Sequence, residues 1–407
     1  MTDTRSSNYR WLILGLCAIT GTLAVSMPTS CLPALFKEIS DDLGLSLVEL
    51  GTIWGMGNLA AFFINLFGGF LGDRFGSKGL LISLCLLGGI TGALRGLSEA
   101  FLVLAVTVFI NSLIRSIIPI VFTKMIGIWF RGYNLATANG VAAMGMGLGL
   151  TIGPLISATF LSPLLGGWRH VLFLYGGISV AMAVAWLVLW RKPPSASVEL
   201  APRIAVPFGT ALGVLAKNKA LWIIGLTVLF RTACMSGMMG YLPLYLRGQG
   251  WAPADADGAL AAFFAASTIS VVPLTMISDR LGSRRAVMYP ALLLMTTCIG
   301  LLSVAHGPEV WALVILGGMT MDGFLAIAAT YVLETQGVGQ ANTGTALGLV
   351  WTISQPGGIV GPPLGNSFAS ISPGAPFIFW ACLSLPALVT LFFARETGRK
   401  RRTASAN

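Results

Sequence analysis

The sequence is short of charge. Only 10% of its 407 residues are Asp, Glu, Lys or Arg, where soluble domains carry about 25%. That shortage argues against an ordinary soluble domain. Histidine occurs twice, and the six cysteines (Cys17, Cys31, Cys85, Cys234, Cys298 and Cys382) contain no C-x-x-C pair. No metal site and no disulfide framework are therefore expected, and the cysteines read as small packing residues. No nucleophile–base set is spaced for catalysis, so neither an enzyme nor a cofactor is expected. Acidic residues are scarcer than basic ones, 15 against 25, which leaves a net charge of +10. That excess invites a nucleic-acid reading, but the position of the charges argues against it.

What is present is apolar. Hydrophobic residues make up 55% of the chain, the mean hydropathy is +0.83, and there are 50 glycines. This fits membrane helices, where glycine lets backbones approach closely. An all-α membrane protein is predicted, with spans at 11–36, 47–72, 79–97, 101–125, 134–162, 168–190, 219–246, 255–278, 286–305, 309–332, 342–369 and 374–395. Arg5 and Arg10 precede an apolar run from Trp11 to about Pro33. That run is too long for a signal-peptide core and no A-x-A site follows, so it reads as the first span. Pro28, Pro119, Pro154, Pro273 and Pro356 mark expected kinks.

Counting basic residues loop by loop gives the orientation. With the N-terminus in the cytoplasm, nineteen Lys and Arg fall on the cytoplasmic side and four on the other: Lys37, Arg95, Arg169 and Arg247. The remaining two, Arg115 and Arg231, lie inside spans. The bias predicts both termini in the cytoplasm of an inner-membrane protein and accounts for the basic charge without nucleic acid. The longest polar stretch carries Pro193, Pro194, Pro202 and Pro207. The chain is accordingly divided into a six-helix bundle at 1–190, a linker at 191–218, a second bundle at 219–395 and a basic tail at 396–407.

The halves repeat. Asp73-Arg74-Phe75-Gly76-Ser77-Lys78 returns as Asp279-Arg280-Leu281-Gly282-Ser283-Arg284. Gly140, Gly149, Gly153 and Pro154 return as Gly348, Gly357, Gly361 and Pro362 at nearly the same offset. Parallel repeats about an axis along the membrane normal follow. The stretch from Gly69 to Lys78 resembles G-x-L-x-D-R-x-G-x-K/R, a signature of the major facilitator superfamily, and Arg115 resembles that family's arginine in the fourth helix. The resemblance covers the whole chain and implies two pseudo-symmetric six-helix bundles, a transport function, and a cavity lined by the first, fourth, seventh and tenth helices. Trp129-Phe130-Arg131-Gly132 is similar to monocarboxylate, oxalate-type and anion:cation symporter members.

In the D-R-x-G loops a glycine frees the backbone of a tight turn, and an aspartate can face a helix N-terminus or a basic side chain of the neighbouring half. Asp73, Arg74, Asp279 and Arg280 are the gating candidates; the competing reading is that the bases only set topology. The helix-five glycines resemble a signature of proton-coupled antiporters, but Ser157 and Ala158 stand where it ends in paired glycines. A face for close packing is the preferred reading.

Charges inside a membrane are costly and point to function. Three lie near mid-span: Arg115, Arg231 and Asp322. All fall on helices that the resemblance places around the cavity, and Asp322 occupies the position of Arg115 in the second half. Guanidinium pairs bidentately with carboxylate and keeps its proton, so two arginines select an anion. Asn111 lies one turn before Arg115; Trp351 and Gln355 are further candidate walls of the binding site. Asp322 is the candidate proton carrier. Either Arg115 binds substrate, or it bridges to Asp322.

The reading is a monomeric carrier of a small organic anion, a carboxylate, coupled to protons and embedded in lipid, with no nucleic acid, metal or cofactor. The alternative is a proton-driven exporter of lipophilic drugs; its cationic substrates call for an acidic cavity, and this set is net basic.

Overall fold

The computed structural model describes residues 3–74, 77–130, 135–190, 208–339 and 342–397, except the side chains of 3–8, 66–74, 77, 78, 136, 208, 210 and 211. Among the described residues every regular element is helical. The principal helices are α1 (Tyr9–Leu43), α2 (Leu47–Arg74), α3 (Ser77–Leu94), α4 (Phe101–Trp129), α5 (Leu135–Ile156) and α6 (Trp168–Leu189). They continue with α7 (Lys219–Gly248), α8 (Pro253–Leu281), α9 (Arg285–Leu301), α10 (Glu309–Glu334), α11 (Thr343–Ser367) and α12 (Ala375–Phe393).

Among the described residues, ten helices are long and apolar enough to cross a membrane. The two outside that set are α9, which is apolar but shorter, and α11, which carries Pro356, Pro362 and Pro363 among many glycines. Large apolar side chains such as Leu102, Val188, Ile269 and Ile371 point outward and exposed, while Arg115, Arg231 and Asn111 are buried. That inversion suits a chain whose solvent is lipid.

Three predicted spans depart from straight helices. A π-helical turn interrupts α1 at Gly21–Ser26. Another, Ser157–Leu161, follows α5 and is succeeded by the short helix Ser162–Leu165. The tenth is broken into Glu309–Gly318 and Met321–Glu334. In the predicted linker, residues 191–207 lie outside the described residues and Phe208–Leu215 form a short helix. Asn218 then caps α7, its side chain accepting from the Ala220 N–H at 3.0 Å.

The chain divides into two units. The first comprises Met1–Leu45 and Phe67–Pro202, the second Ser46–Leu66 and Arg203–Asn407. The start of α2 thus packs with the second unit. There Trp54 Nε1 donates to the Ser236 carbonyl at 2.9 Å, and Asn58 Nδ2 donates to Ser236 Oγ and the Gly358 carbonyl.

Inside each unit the repeated glycines, Gly140 excepted, lie against neighbouring helices. A Cβ on Gly149 of α5 would fall 2.6 Å from the Thr22 carbonyl of α1, and one on Gly361 of α11 would fall 2.7 Å from the Ala233 carbonyl of α7. With no hydrophobic drive between helices in lipid, such close backbone contact is what holds them together. In the second unit Trp380 of α12 fills the space left by Gly237 and Gly365, and its Nε1 donates to the Gly361 carbonyl at 2.8 Å.

Candidate functional site

Pro28 prepares the site of the first unit. Proline has no N–H to return to the carbonyl four residues back, so the Ala24 carbonyl is left without its ordinary helical partner. Arg115 of α4 donates to that carbonyl through Nη1. Its Nε donates to Asn111 Oδ1 at 2.7 Å, while Nη2 reaches the Gly88 carbonyl of α3 only at 3.5 Å. Asn111, one turn earlier on α4, is fixed in turn by donating to the Gly88 carbonyl at 2.8 Å and to Thr91 Oγ1 at 2.9 Å. Asn111 therefore positions the arginine.

A second guanidinium accompanies it. Sequence counting places Arg95 among the loop charges, but it is only 2% exposed, in the tight turn Arg95–Leu97 that ends α3. Its Nε donates to the Gly92 carbonyl at 3.3 Å and its Nη1 to the Pro28 carbonyl at 3.1 Å.

In the second unit the break in α10 does comparable work. Arg231 of α7 donates through Nη2 to the Met321 carbonyl at 2.6 Å and to the Thr320 carbonyl at 3.5 Å. Its guanidinium carbon lies 4.7 Å from the centre of the Phe324 ring, a cation–π distance. Asp322 sits in the first turn of the segment after the break, where the positive end of a helix favours a carboxylate. Ser267 of α8 donates to Asp322 Oδ2 at 2.6 Å and accepts from the Asp322 N–H at 3.1 Å. Asp322 directly follows Met321, whose carbonyl Arg231 holds, yet no ion pair joins the two side chains. Among the described residues, no carboxylate lies within ion-pair distance of Arg95, Arg115 or Arg231.

The remaining candidates differ in placement. Trp351 and Gln355 are half-buried, one turn apart on α11, and no hydrogen bond joins either to Arg231. Thr227 stands to Arg231 as Asn111 stands to Arg115, but it bonds the Ile223 carbonyl and Thr390 Oγ1 instead.

At the second D-R-x-G loop, Gly282 ends α8 in the left-handed conformation at φ 60°, the freedom its glycine was expected to supply. Asp279 pairs with Arg284 at 2.6 Å, whereas Arg280 is exposed. Arg284 also holds Glu334 with two bonds, at 2.7 and 3.1 Å. The bonds from Glu334, and then from Asp279, raise the Arg284 pKa above the ordinary arginine value. Glu396 accepts from the Arg284 and Arg285 N–H groups, putting a negative charge at the start of α9. In the first loop Phe75 and Gly76, and the side chains of Asp73 and Arg74, lie outside the described residues.

Sequence reasoning passed over Arg95, Ser267, Glu334 and Glu396. It also missed a buried pair, Arg247 with the fully buried Asp257 at 2.6 Å. For Glu334 and Glu396 a signal existed, since acidic residues are rare in this chain and both stand at span ends.

Comparison with known proteins places the chain. The family profile described as Major Facilitator Superfamily matches residues 18–362 and 250–407. The chain belongs to that superfamily: it is a multi-pass membrane transporter and not an enzyme. It is similar to the 3-(3-hydroxy-phenyl)propionate transporter of Escherichia coli, 24% identical, with 92% of this chain and 90% of the relative covered. It is likewise similar to the cis,cis-muconate transport protein of Acinetobacter baylyi, 23% identical over 95% of each. Its fold matches the crystal structure of a nucleoside transporter at a TM-score of 0.77 and 14% identity, covering 94% of this chain and 98% of that one.

Proposed function

We propose that this chain carries a small organic anion, a carboxylate, across the inner membrane by alternating access, driven by protons. The observation that carries the reading is the burial of Arg115 and Arg231 without a carboxylate in ion-pair distance of either. Both guanidiniums are anchored on backbone carbonyls, which orient them without neutralising them. Buried positive charge of this kind favours an incoming anion. The relatives named for hydroxyphenylpropionate and muconate are carriers of carboxylates, which supports the same class.

In this reading Arg115 and Arg231 bind the substrate, Asn111 positions Arg115, and Trp351 and Gln355 contribute walls. Asp322, held by Ser267, carries the proton. Substrate on Arg231 draws its charge away from the aspartate and lets it protonate. Asp73, Arg74, Asp279 and Arg280 belong to the gate, with Arg284 as the ion-pair partner of Asp279. Twelve spans in two six-helix halves, both termini cytoplasmic, and a monomer complete the proposal. Uptake by proteoliposomes under an imposed proton gradient, screened over organic anions and cations, tests it. Anion accumulation supports the reading, and cation accumulation alone would overturn it.

A further inference from the structure

We propose that Arg95 joins Arg115 in a carboxylate-binding site at Gly92, inside the first unit. The inference rests on the organic-anion reading and names the group of the substrate that this unit holds.

The geometry is one of donors without an acceptor. A Cβ placed on Gly92 would lie 3.2 Å from Arg115 Nη2, 3.5 Å from Asn111 Nδ2 and 3.8 Å from Arg95 Nη2. Three nitrogen-bearing groups thus converge beside Gly92, and with glycine there no side chain comes between them. The bonds already made leave the two Nη2 atoms over. Arg95 spends Nε and Nη1 on carbonyls, while its Nη2 is buried with no hydrogen-bond partner. Arg115 spends Nε on Asn111 and Nη1 on Ala24, and its Nη2 has only the long contact to Gly88.

Charge points the same way. Both Nη2 atoms lie within 3.8 Å of the same point, so the two like charges repel, and both guanidiniums are buried. The carboxylates of this unit that make described contacts are engaged elsewhere: Glu38 accepts from Ser162, Asp41 pairs with Lys37, and Asp42 pairs with Arg169. A buried guanidinium pair of this kind is stabilised by an anion that accepts from both. A carboxylate, with two oxygens on one planar carbon, can take one N–H from each Nη2. Arg95 thereby becomes a binding residue, where sequence counting gave it the role of a loop charge.

The test uses the full-length purified chain in chloride-free buffer, with formate as the probe and thermal unfolding as the readout. Chloride and methylammonium serve as controls. Formate should stabilise the wild type. Arg95→Gln should weaken its apparent affinity about tenfold or more, with partial recovery in Arg95→Lys. Gly92→Ala keeps both guanidiniums but puts a methyl against Arg115 Nη2, and should weaken formate as well; it replaces Arg95→Gln if that variant does not fold. An unaltered formate response in these variants overturns the site, as does a wild type that ignores formate or responds only to chloride. Anion uptake measured in parallel separates the two readings. Uptake that persists with Arg95-independent formate binding sinks this site alone. Arg95-dependent formate binding in a chain that moves no organic anion sinks the carrier reading.

Discussion

The first unit holds its buried charge as two guanidiniums, Arg95 and Arg115, tied to carbonyls of α1 and α3. At mid-span the second has Arg231, tied to carbonyls of α10, with Asp322 beside it under a serine, apart from the buried Arg247–Asp257 pair. In both, a helix irregularity supplies the acceptors: Pro28 after a π-helical turn in α1, and the break at Met319–Thr320 in α10. The arginine sits on opposite members of the repeated helix pair, α4 in one unit and α7 in the other. The comparison teaches that the repeat preserves a way of anchoring a buried arginine. What it does not preserve is the sign balance, since only the second unit adds a titratable carboxylate.

Four experiments would break or sharpen that contrast. The largest effect is expected from Arg115→Ala and Arg231→Ala. Each should cut anion uptake roughly 100-fold or more, the scale of removing one partner from a buried charge-assisted contact. Both proteins should remain monodisperse, and full uptake in both would remove the arginines from the site.

Asp322→Asn comes next. Uptake against a concentration gradient should vanish while exchange of labelled for unlabelled anion continues. Accumulation that survives would place the proton elsewhere and erase the functional difference between the units.

A smaller effect separates Asn111 from Thr227. Asn111→Ala frees the Arg115 Nε and should raise KM about tenfold. Thr227→Ala should leave KM unchanged, because Thr227 bonds Thr390 and the Ile223 carbonyl. Equal effects would mean that the two positions are equivalent after all.

The smallest effect lies at the second D-R-x-G loop. Arg284→Ala, which breaks the bonds to Asp279 and Glu334, should cost about 1–3 kcal/mol of stability. Arg280→Ala should cost little. Because the Arg284 pKa is raised, its contribution is present below the ordinary arginine range and is lost only as pH rises above it. The melting difference between wild type and Arg284→Ala should therefore stay flat from about pH 7 to pH 9.

Much of this molecule was legible in its sequence, for reasons that can be named. Apolar run length gave the helices, because a lipid interior tolerates little else. The glycine repeat marked close-packing faces on α5 and α11, because a missing side chain is a direct statement about space, while the partners α1 and α7 are seen only in the structure. Arg115, Arg231 and Asp322 stood out because charge is rare in such runs.

The rest depended on three-dimensional neighbours. Arg95 lies at a span end, where counting by loop treats any base as exposed, yet the Gly92 and Pro28 carbonyls bury it. Asp279, named for the gate beside Arg280, was expected to face a helix N-terminus or a basic side chain of the neighbouring half. Its partner is Arg284, and no pattern reveals which base of a loop turns back toward the aspartate. The break in α10 follows Gly317-Gly318 with no proline to mark it, and Ser267 is one serine among many. The packing of the start of α2 within the second unit rests on Trp54 and Asn58 meeting Ser236, a contact with no local signature.

The central claim is that buried arginines select an anion while Asp322 alone couples it to protons. Proteoliposomes with an inward proton gradient, offered cis,cis-muconate and 3-(3-hydroxyphenyl)propionate beside an organic cation, test it most directly. The account predicts that the wild type accumulates a carboxylate, that Arg115→Ala and Arg231→Ala do not, and that Asp322→Asn exchanges without accumulating. Undiminished carboxylate accumulation in both arginine variants, or accumulation of the cation alone by the wild type, would contradict it.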